Sequence, residues 1–579
     1  MQQGWSRSGR LFMLIAALYW LGGMHFFMHN PGGSGFYLPF NMVGWLFAAL
    51  LIGVGLWHVT LSHKLVLSAN QGWLWAGFLV LCIPLFTHPD VPLDAGMPRL
   101  LGIAGGLLLL FALTQLRLTA SQRLLMFYLL LGAVAVEALF GLVQYFWLTP
   151  GNWIGYNTLT NRPYGIFQKD SVLSSFVALG ATLALFLSLW DPQAGSGWRR
   201  WLCHGVLFAA GLLLVVIQSR SGQGGLLLSA LILFPLLFVF DKRRALWALA
   251  ALLLGLLAGA ISFAILSTGR GLASYVGTMD YRLLYWRHCL DLFWQQPWLG
   301  VGYGKFESAF VTSYYASPSG DTGKTLIEQN LDHPHNELLY WLVEGGLVAL
   351  LGLGLAALGW LRMLWSQDKC RALALLALPL PLLFHAMVEY PFYHSVAHWF
   401  ALIWLLWFTD AERAQSKVLP LRNWLLLRAL ALLIPLLTVP YMLTGLQTAY
   451  LVTKFERGGL KEPALLEQVI NPLPWYSRFM YDVMTVRLMY GLQSNHPDEL
   501  KAYVDWAKDF VSLMPRANVY NNLAMALHRL NRPDEALQWR AEGQRLFPAD
   551  PLFQVKPSAA VSVTKPAMSP PAQSGAVAQ

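Results

Sequence analysis

An all-α polytopic membrane protein is the fold class this sequence predicts. Apolar residues make up 56% of the chain and charged ones 12%. Apolar runs long enough to cross a bilayer recur from Leu11 onward, and cationic residues gather in alternate connections between them. A soluble multidomain protein is excluded by the same pattern.

About thirteen spans are expected from the length that a hydrocarbon core requires: 11–28, 42–60, 72–87, 99–116, 124–147, 171–190, 201–218, 224–240, 245–267, 336–361, 372–388, 396–409 and 424–445. The first run follows Arg7 and Arg10 and resembles a signal peptide, but no small-residue cleavage motif comes after it and further runs follow. It is expected to remain as the first helix. With the N-terminus in the cytoplasm, alternate connections hold Lys64, Arg117, Arg123, Arg199, Arg200, Lys242, Arg243, Arg244, Arg362, Lys369, Arg371, Arg413, Lys417 and Arg422, while the opposite connections hold few cations. An odd number of spans then puts the long loop from Ser267 to Pro334 and everything after about Ala449 on the outer side, the periplasm in a bacterium.

The domains follow: a transmembrane catalytic domain over 1–446 with a periplasmic loop at 268–335, a helical domain over 447–555, and a disordered tail over 556–579 rich in Ala, Pro, Ser and Val. Past Ala449 charge rises and amphipathic helical periodicity appears. Within it NVYNNLAMALHRLNRPDEALQWRAEGQRLFPADP fits one tetratricopeptide-like unit, with Ala524, Ala536 and Pro548 suitably placed. Such a unit serves either as a protein-docking surface or as a cap on the membrane domain.

The cysteines, Cys82, Cys203, Cys289 and Cys370, form no CxxC pair and predict neither a disulfide framework nor a zinc site. The net charge of +10 belongs mostly to topology, so no nucleic-acid partner is expected. No phosphate-loop motif, GxSxG elbow, HExxH or DxD-type pair occurs, although Glu307, Asp321, Glu328 and Asp332 lie in the outer loop. Neither a metal nor another cofactor is expected.

The residues that carry chemistry are those that topology does not need. HPHNELLYWLVEGG, His333 to Gly346, sets two imidazoles and an amide at the mouth of the tenth span, where polar groups cost free energy and point to function. A histidine exchanges protons near neutral pH, which suits His335 to general-base catalysis, with Asn336 as helix cap or orienting group and His333 as support. Arg162, Arg220, Arg282, Arg287 and Lys305 are cations on the outer side, against the topological preference. Arginine binds phosphate oxygens through its planar fork, so Arg220 and Arg282 suit a pyrophosphate leaving group. The glycines of LGVGYGKF are expected to let the backbone turn tightly beneath a lipid headgroup or glycan, and the aromatic residues near them fit the interfacial belt or stack on sugars.

In order along the chain, SRSGQGG from Ser219, RLLYWRHCLDLFWQQPWLGVGYGKF from Arg282 and HPHNELLYWLVEGGLVALLG from His333 resemble the core of the bacterial O-antigen ligase and polymerase superfamily. RPYGIFQ from Arg162 and VEYPFYHS from Val388 resemble its protein O-oligosaccharyltransferase branch, which acts on pilins and other exported proteins. The resemblance implies an inner-membrane glycosyltransferase, without metal or nucleotide, that moves a preassembled oligosaccharide from undecaprenyl diphosphate to Ser or Thr of a periplasmic acceptor such as a pilin. By motif it implies His335 as the essential histidine, Arg220 and Arg282 as diphosphate ligands, and Glu344 and Glu389 as recurrent acidic positions. Arg162, Gln168, Lys305, His333, Asn336, Glu344, Glu389 and Tyr390 are the candidate donor or acceptor contacts. After RPYGIFQ this chain has Lys169, Asp170 and Ser171, where relatives often continue with Gln and Asn. The alternatives are a ligase acting on lipid A-core, a polymerase of lipid-linked glycan, and a lipid or solute transporter, which would place its ionisable groups at the midplane.

Overall fold

A computed structural model describes residues 6–89, 91–266, 272–316, 330–411 and 416–554. Asp321, Glu328, Arg413 and the tail from 556 lie outside the described residues.

The chain forms, in order, α1 (Arg7–Leu21), α2 (Pro39–Ser62), β1 (Lys64–Ser68), α3 (Ala69–Leu81), α4 (Leu93–Gln115), α5 (Ala120–Phe146), α6 (Asp170–Trp190), α7 (Gly197–Ile217), α8 (Arg220–Phe240) and α9 (Lys242–Leu266). There follow α10 (Leu272–Gln295), α11 (Phe306–Ala316), α12 (Glu337–Trp365), α13 (Lys369–Ala377), α14 (Leu380–Ala386), α15 (Pro391–His394), α16 (Val396–Ala411), β2 (Ser416–Pro420) and α17 (Leu425–Arg457). The last elements are α18 (Ala464–Glu467), α19 (Tyr476–Gln493), α20 (Pro497–Leu513), α21 (Ala517–Arg529), α22 (Pro533–Leu546) and α23 (Pro551–Gln554).

The protein is an all-α polytopic membrane protein, but its span count departs from the expected thirteen. Among the described residues ten helices are long and apolar enough to cross a membrane, or eleven if α13 and α14, bent by 47° at their junction, act as one span. The remaining two expected spans correspond to α1, with 15 residues, and α16, with 16. Both fall short of the roughly 20 residues a perpendicular crossing takes. A second departure is a small antiparallel pairing of β1 with β2, which apolar periodicity could not announce.

Local chemistry explains the helix ends. Thr119 and Gln122 form a capping box that starts α5, and Ser6 and Asp368 cap α1 and α13. Exposed leucines such as Leu426, Leu436 and Leu437 on α17 are what lipid solvates in place of protein.

The chain divides into two units. The first comprises 1–80, 99–274 and 351–446. At its centre lies α6, buried at every residue from Ser171 to Ser188 and packed against α7 and α8. Close approach to α8 depends on Gly222, where a Cβ would stand 2.5 Å from the Ser174 carbonyl oxygen.

The second unit comprises 81–98, 275–350 and 447–579. There α19 through α22 pack each against the next, and α11 from the long loop packs on α20 and α22. Tyr285, Phe306 and Phe310 share one apolar core with Leu488, Tyr503 and Leu523. Full burial of such side chains contributes about 1.5–3 kcal/mol each.

Candidate active site

In the second unit the HPHN turn is tightly specified. His335 has a left-handed backbone, φ 55°, a conformation that costs a non-glycine residue about 1–2 kcal/mol. It is held by a hydrogen bond from its own N–H to Nδ1 of His333 at 2.8 Å. That bond requires Nδ1 of His333 to be unprotonated, so its proton sits on Nε2, 3.7 Å from Oε2 of Glu337. Burial pushes the His333 pKa below its ordinary value, against the opposing influence of Glu337. Asn336 accepts the N–H of Leu339 at 3.0 Å and so caps α12.

The same turn is tied to α10. Trp286 donates from Nε1 to the Pro334 carbonyl at 3.0 Å. Arg282, half-buried, precedes Trp286 by one helical turn and therefore lies on the same face of α10. The Trp286–Pro334 bond thus ties the HPHN turn to the face of α10 on which Arg282 stands.

Beyond the turn, α12 is broken at Gly346, with φ 62° and ψ −156°, a conformation essentially limited to glycine. Its free backbone groups are taken by the glycine-rich segment: Val301 and Gly302 donate to the carbonyls of Val343 and Glu344 at 2.9 and 3.0 Å, while Leu347 and Val348 donate to Pro297 and Trp298 at 2.8 and 3.2 Å. These are the partners that a continuous helix would have satisfied within itself. Gly300, Gly302 and Gly304, each with a positive φ, are therefore used to turn this segment into the break of α12. A Cβ at Gly346 would stand 2.4 Å from the Trp298 backbone.

Glu344, fully buried, accepts the N–H groups of Gly304 at 2.9 Å and Phe306 at 3.0 Å. Its carboxylate thus clamps both neighbours of Lys305.

The first unit gathers the other motifs. Arg162 donates from Nε to the Ile217 carbonyl at 2.9 Å and pairs through Nη1 with Asp170 at 2.7 Å. Lys169 pairs with Glu389 at 3.1 Å and stands 4.6 Å from the centre of the Tyr390 ring. Ser221 donates to the Ser171 carbonyl at 3.3 Å, which brings the turn carrying Arg220, the first residue of α8, to the start of α6. Gln168, with φ 57°, is the left-handed residue that turns the chain into α6. Arg162, Gln168, Glu389 and Tyr390 are accordingly brought together, and the Lys169 and Asp170 departures are each matched by an opposite charge.

Sequence reasoning passed over the residues that hold RPYGIFQ in place. Gln144 accepts from the N–H groups of Tyr164 and Gly165 at 2.9 and 2.8 Å and donates to the Gly165 carbonyl at 3.1 Å. Glu137 accepts from Ile166 N–H at 2.9 Å and pairs with His25 at 2.5 Å. The available signal was a carboxylate and an amide inside the apolar run of α5. Among the described residues no three His, Cys, Asp or Glu side chains cluster as a metal-binding group would.

The family model described as O-antigen ligase matches residues 205–354, and the one described as virulence factor membrane-bound polymerase, C-terminal, matches 373–561. An O-antigen ligase of Pseudomonas aeruginosa is 29% identical over 320 residues, covering 53% of this chain and 68% of that protein. The first match spans α10, the glycine-rich segment and the HPHN turn, the second spans the EYP segment and the C-terminal helices, and with them the chain belongs to the O-antigen ligase and polymerase superfamily.

Proposed function

We propose that this protein is an O-oligosaccharyltransferase that moves a preassembled glycan from undecaprenyl diphosphate to a Ser or Thr hydroxyl of a periplasmic acceptor protein such as a pilin. The support is the HPHN turn, where one imidazole fixes the backbone of the next beside the helix face that bears an arginine. His335 takes the proton of the acceptor hydroxyl as its oxygen bonds to the anomeric carbon. The bond from that carbon to the diphosphate oxygen breaks, and the electron pair leaves with undecaprenyl diphosphate. Arg220 and Arg282 bind the charge that develops on the leaving group, the kind of stabilisation that typically contributes most to such a step.

A second reading keeps the donor and replaces the acceptor with lipid A-core, and the relative named O-antigen ligase favours it. Reconstitution of the purified protein with lipid-linked oligosaccharide, a pilin and lipid A-core decides between the two. A glycan mass shift on Ser or Thr of the pilin supports the proposal. Glycan found on lipid A-core alone overturns it in favour of the ligase, and transfer to neither removes both.

A further inference from the structure

The segment after α17 presents an apolar tip whose place in the fold points to a lipid surface. Ile470 is 71% exposed, Leu473 63% and Tyr476 48%, whereas Leu465, Leu466 and Trp475 between and before them are buried. One side of the segment is thus packed into the protein and the other side is apolar and uncovered. Single exposed leucines are ordinary on a soluble surface, but three large apolar side chains within seven residues are not.

The height of this tip is set by α17. That helix has 33 residues, about 50 Å at 1.5 Å per residue, against a hydrocarbon core of about 30 Å. A crossing that begins at Leu425 is complete by about residue 445. Gln447 and Thr448, just past that point, hold the tip. Gln447 donates to the Gln468 carbonyl at 2.7 Å and accepts the Ile470 N–H at 3.2 Å, and Thr448 donates to the Asn471 carbonyl at 2.7 Å. Ile470 and Leu473 therefore stand where α17 leaves the hydrocarbon, at the level of the lipid headgroups.

The backbone suits that level. Peptide N–H groups are costly to bring toward lipid without a partner, and this segment contains Pro472 and Pro474, which have none. Ile470 N–H is covered by Gln447. Tyr476 has the amphipathic ring that interfaces favour.

We infer that residues 468–476 form an interfacial anchor, with Ile470, Leu473 and Tyr476 seated at the boundary between headgroups and acyl chains of the leaflet reached by the C-terminal end of α17. The occupant is the bilayer itself, because the segment is hydrogen-bonded onto a membrane-spanning helix through Gln447 and Thr448. A protein partner is the competing occupant.

Nitroxide labelling tests this on the full chain. Cys82→Ala and Cys370→Ala remove the two less buried thiols, leaving buried Cys203 and Cys289 in place. Ile470→Cys, Leu473→Cys and Tyr476→Cys are then labelled one at a time, with Glu467→Cys as an exposed neighbour outside the tip. The protein is reconstituted in bilayers of phosphatidylethanolamine and phosphatidylglycerol, and collisions with oxygen and with a water-soluble nickel complex are compared. The expected ratio of oxygen to nickel collisions at 470 and 473 is several-fold above that at 467. Equal ratios at all positions overturn the anchor, and labels at 470 and 473 shielded from both reagents overturn it in favour of a protein contact. Three positions at exposed side chains keep the test intact should one variant fail to fold.

Discussion

Glu307, buried at the start of α11, and Arg516, half-buried at the start of α21, form an ion pair between residues 209 apart in sequence. It joins the long loop to the C-terminal helices within the second unit. Removal of one partner strands the other charge in an apolar surrounding, which costs about 3–5 kcal/mol. Arg516→Met is expected to lower the thermal midpoint of the detergent-solubilised protein sharply. The double variant Glu307→Leu with Arg516→Met is expected to lose less than the single one, because neither charge is then left alone. A double variant as unstable as the sum of its parts would contradict the pairing.

A pH dependence follows from the same carboxylate. Burial raises the Glu307 pKa even though Arg516 opposes the shift. The folded state therefore holds a proton that the unfolded chain has released, and this contribution to stability declines as pH rises from the ordinary carboxylate range toward the folded pKa. Thermal melts across that interval should show a falling component that Glu307→Gln removes.

His333 has the opposite sign. Burial depresses its pKa, so below about pH 6.5 the unfolded chain takes up a proton that the folded chain refuses. Stability is expected to drop as pH falls below that value and to be flat above it. His333→Gln should flatten the acid limb. It should also reduce glycan transfer at neutral pH, because the His335 N–H then loses the Nδ1 acceptor that fixes its left-handed backbone.

The pairing of Lys169 with Glu389 predicts a charge-swap rescue. Lys169→Glu and Glu389→Lys, each alone, place like charges in contact and should reduce transfer by an order of magnitude or more. The double swap should recover most of it, read as glycosylated acceptor on a gel. Failure of the swap would mean that one of the two residues acts on the substrate through its charge.

Glu137→Ala leaves Ile166 N–H without its acceptor, at a cost of about 1–3 kcal/mol for the buried donor. Faster hydrogen exchange at residues 164–166 is the expected signature. Exchange unchanged there would show that Gln144 alone holds the loop.

His335→Ala should abolish transfer while the protein still melts cooperatively, since the half-buried imidazole makes up little of the core. Arg220→Lys and Arg282→Lys should each impair transfer, because a point charge does not reproduce the planar fork. Wild-type rates in all three variants would remove the assigned roles.

Most of the fold class was legible because lipid imposes long apolar runs, and such runs can be read without knowing what they touch. The exact spans were less so: α1 and α16 look as apolar as their neighbours, but helix ends depend on turns such as the break at Gly346. The candidate site was legible in part. His335, Arg282 and Glu389 stood out because charged or polar residues beside apolar runs are informative on their own. The Glu344 carboxylate could be noticed but not interpreted, since the N–H groups of Gly304 and Phe306 that it accepts belong to the backbone, which every residue has.

The sequence by itself determined that this chain is helical, lies in a membrane and carries imidazole and guanidinium groups where topology does not need them, because these properties are set by side-chain polarity and period. The tertiary structure alone decided which groups meet: His333 with the His335 backbone, Lys169 with Glu389, Glu307 with Arg516, and the glycine-rich segment with the gap in α12. Pairings of this kind are decided by how helices pack and by where their backbone hydrogen bonds are left open, and neither is recorded in the local order of residues.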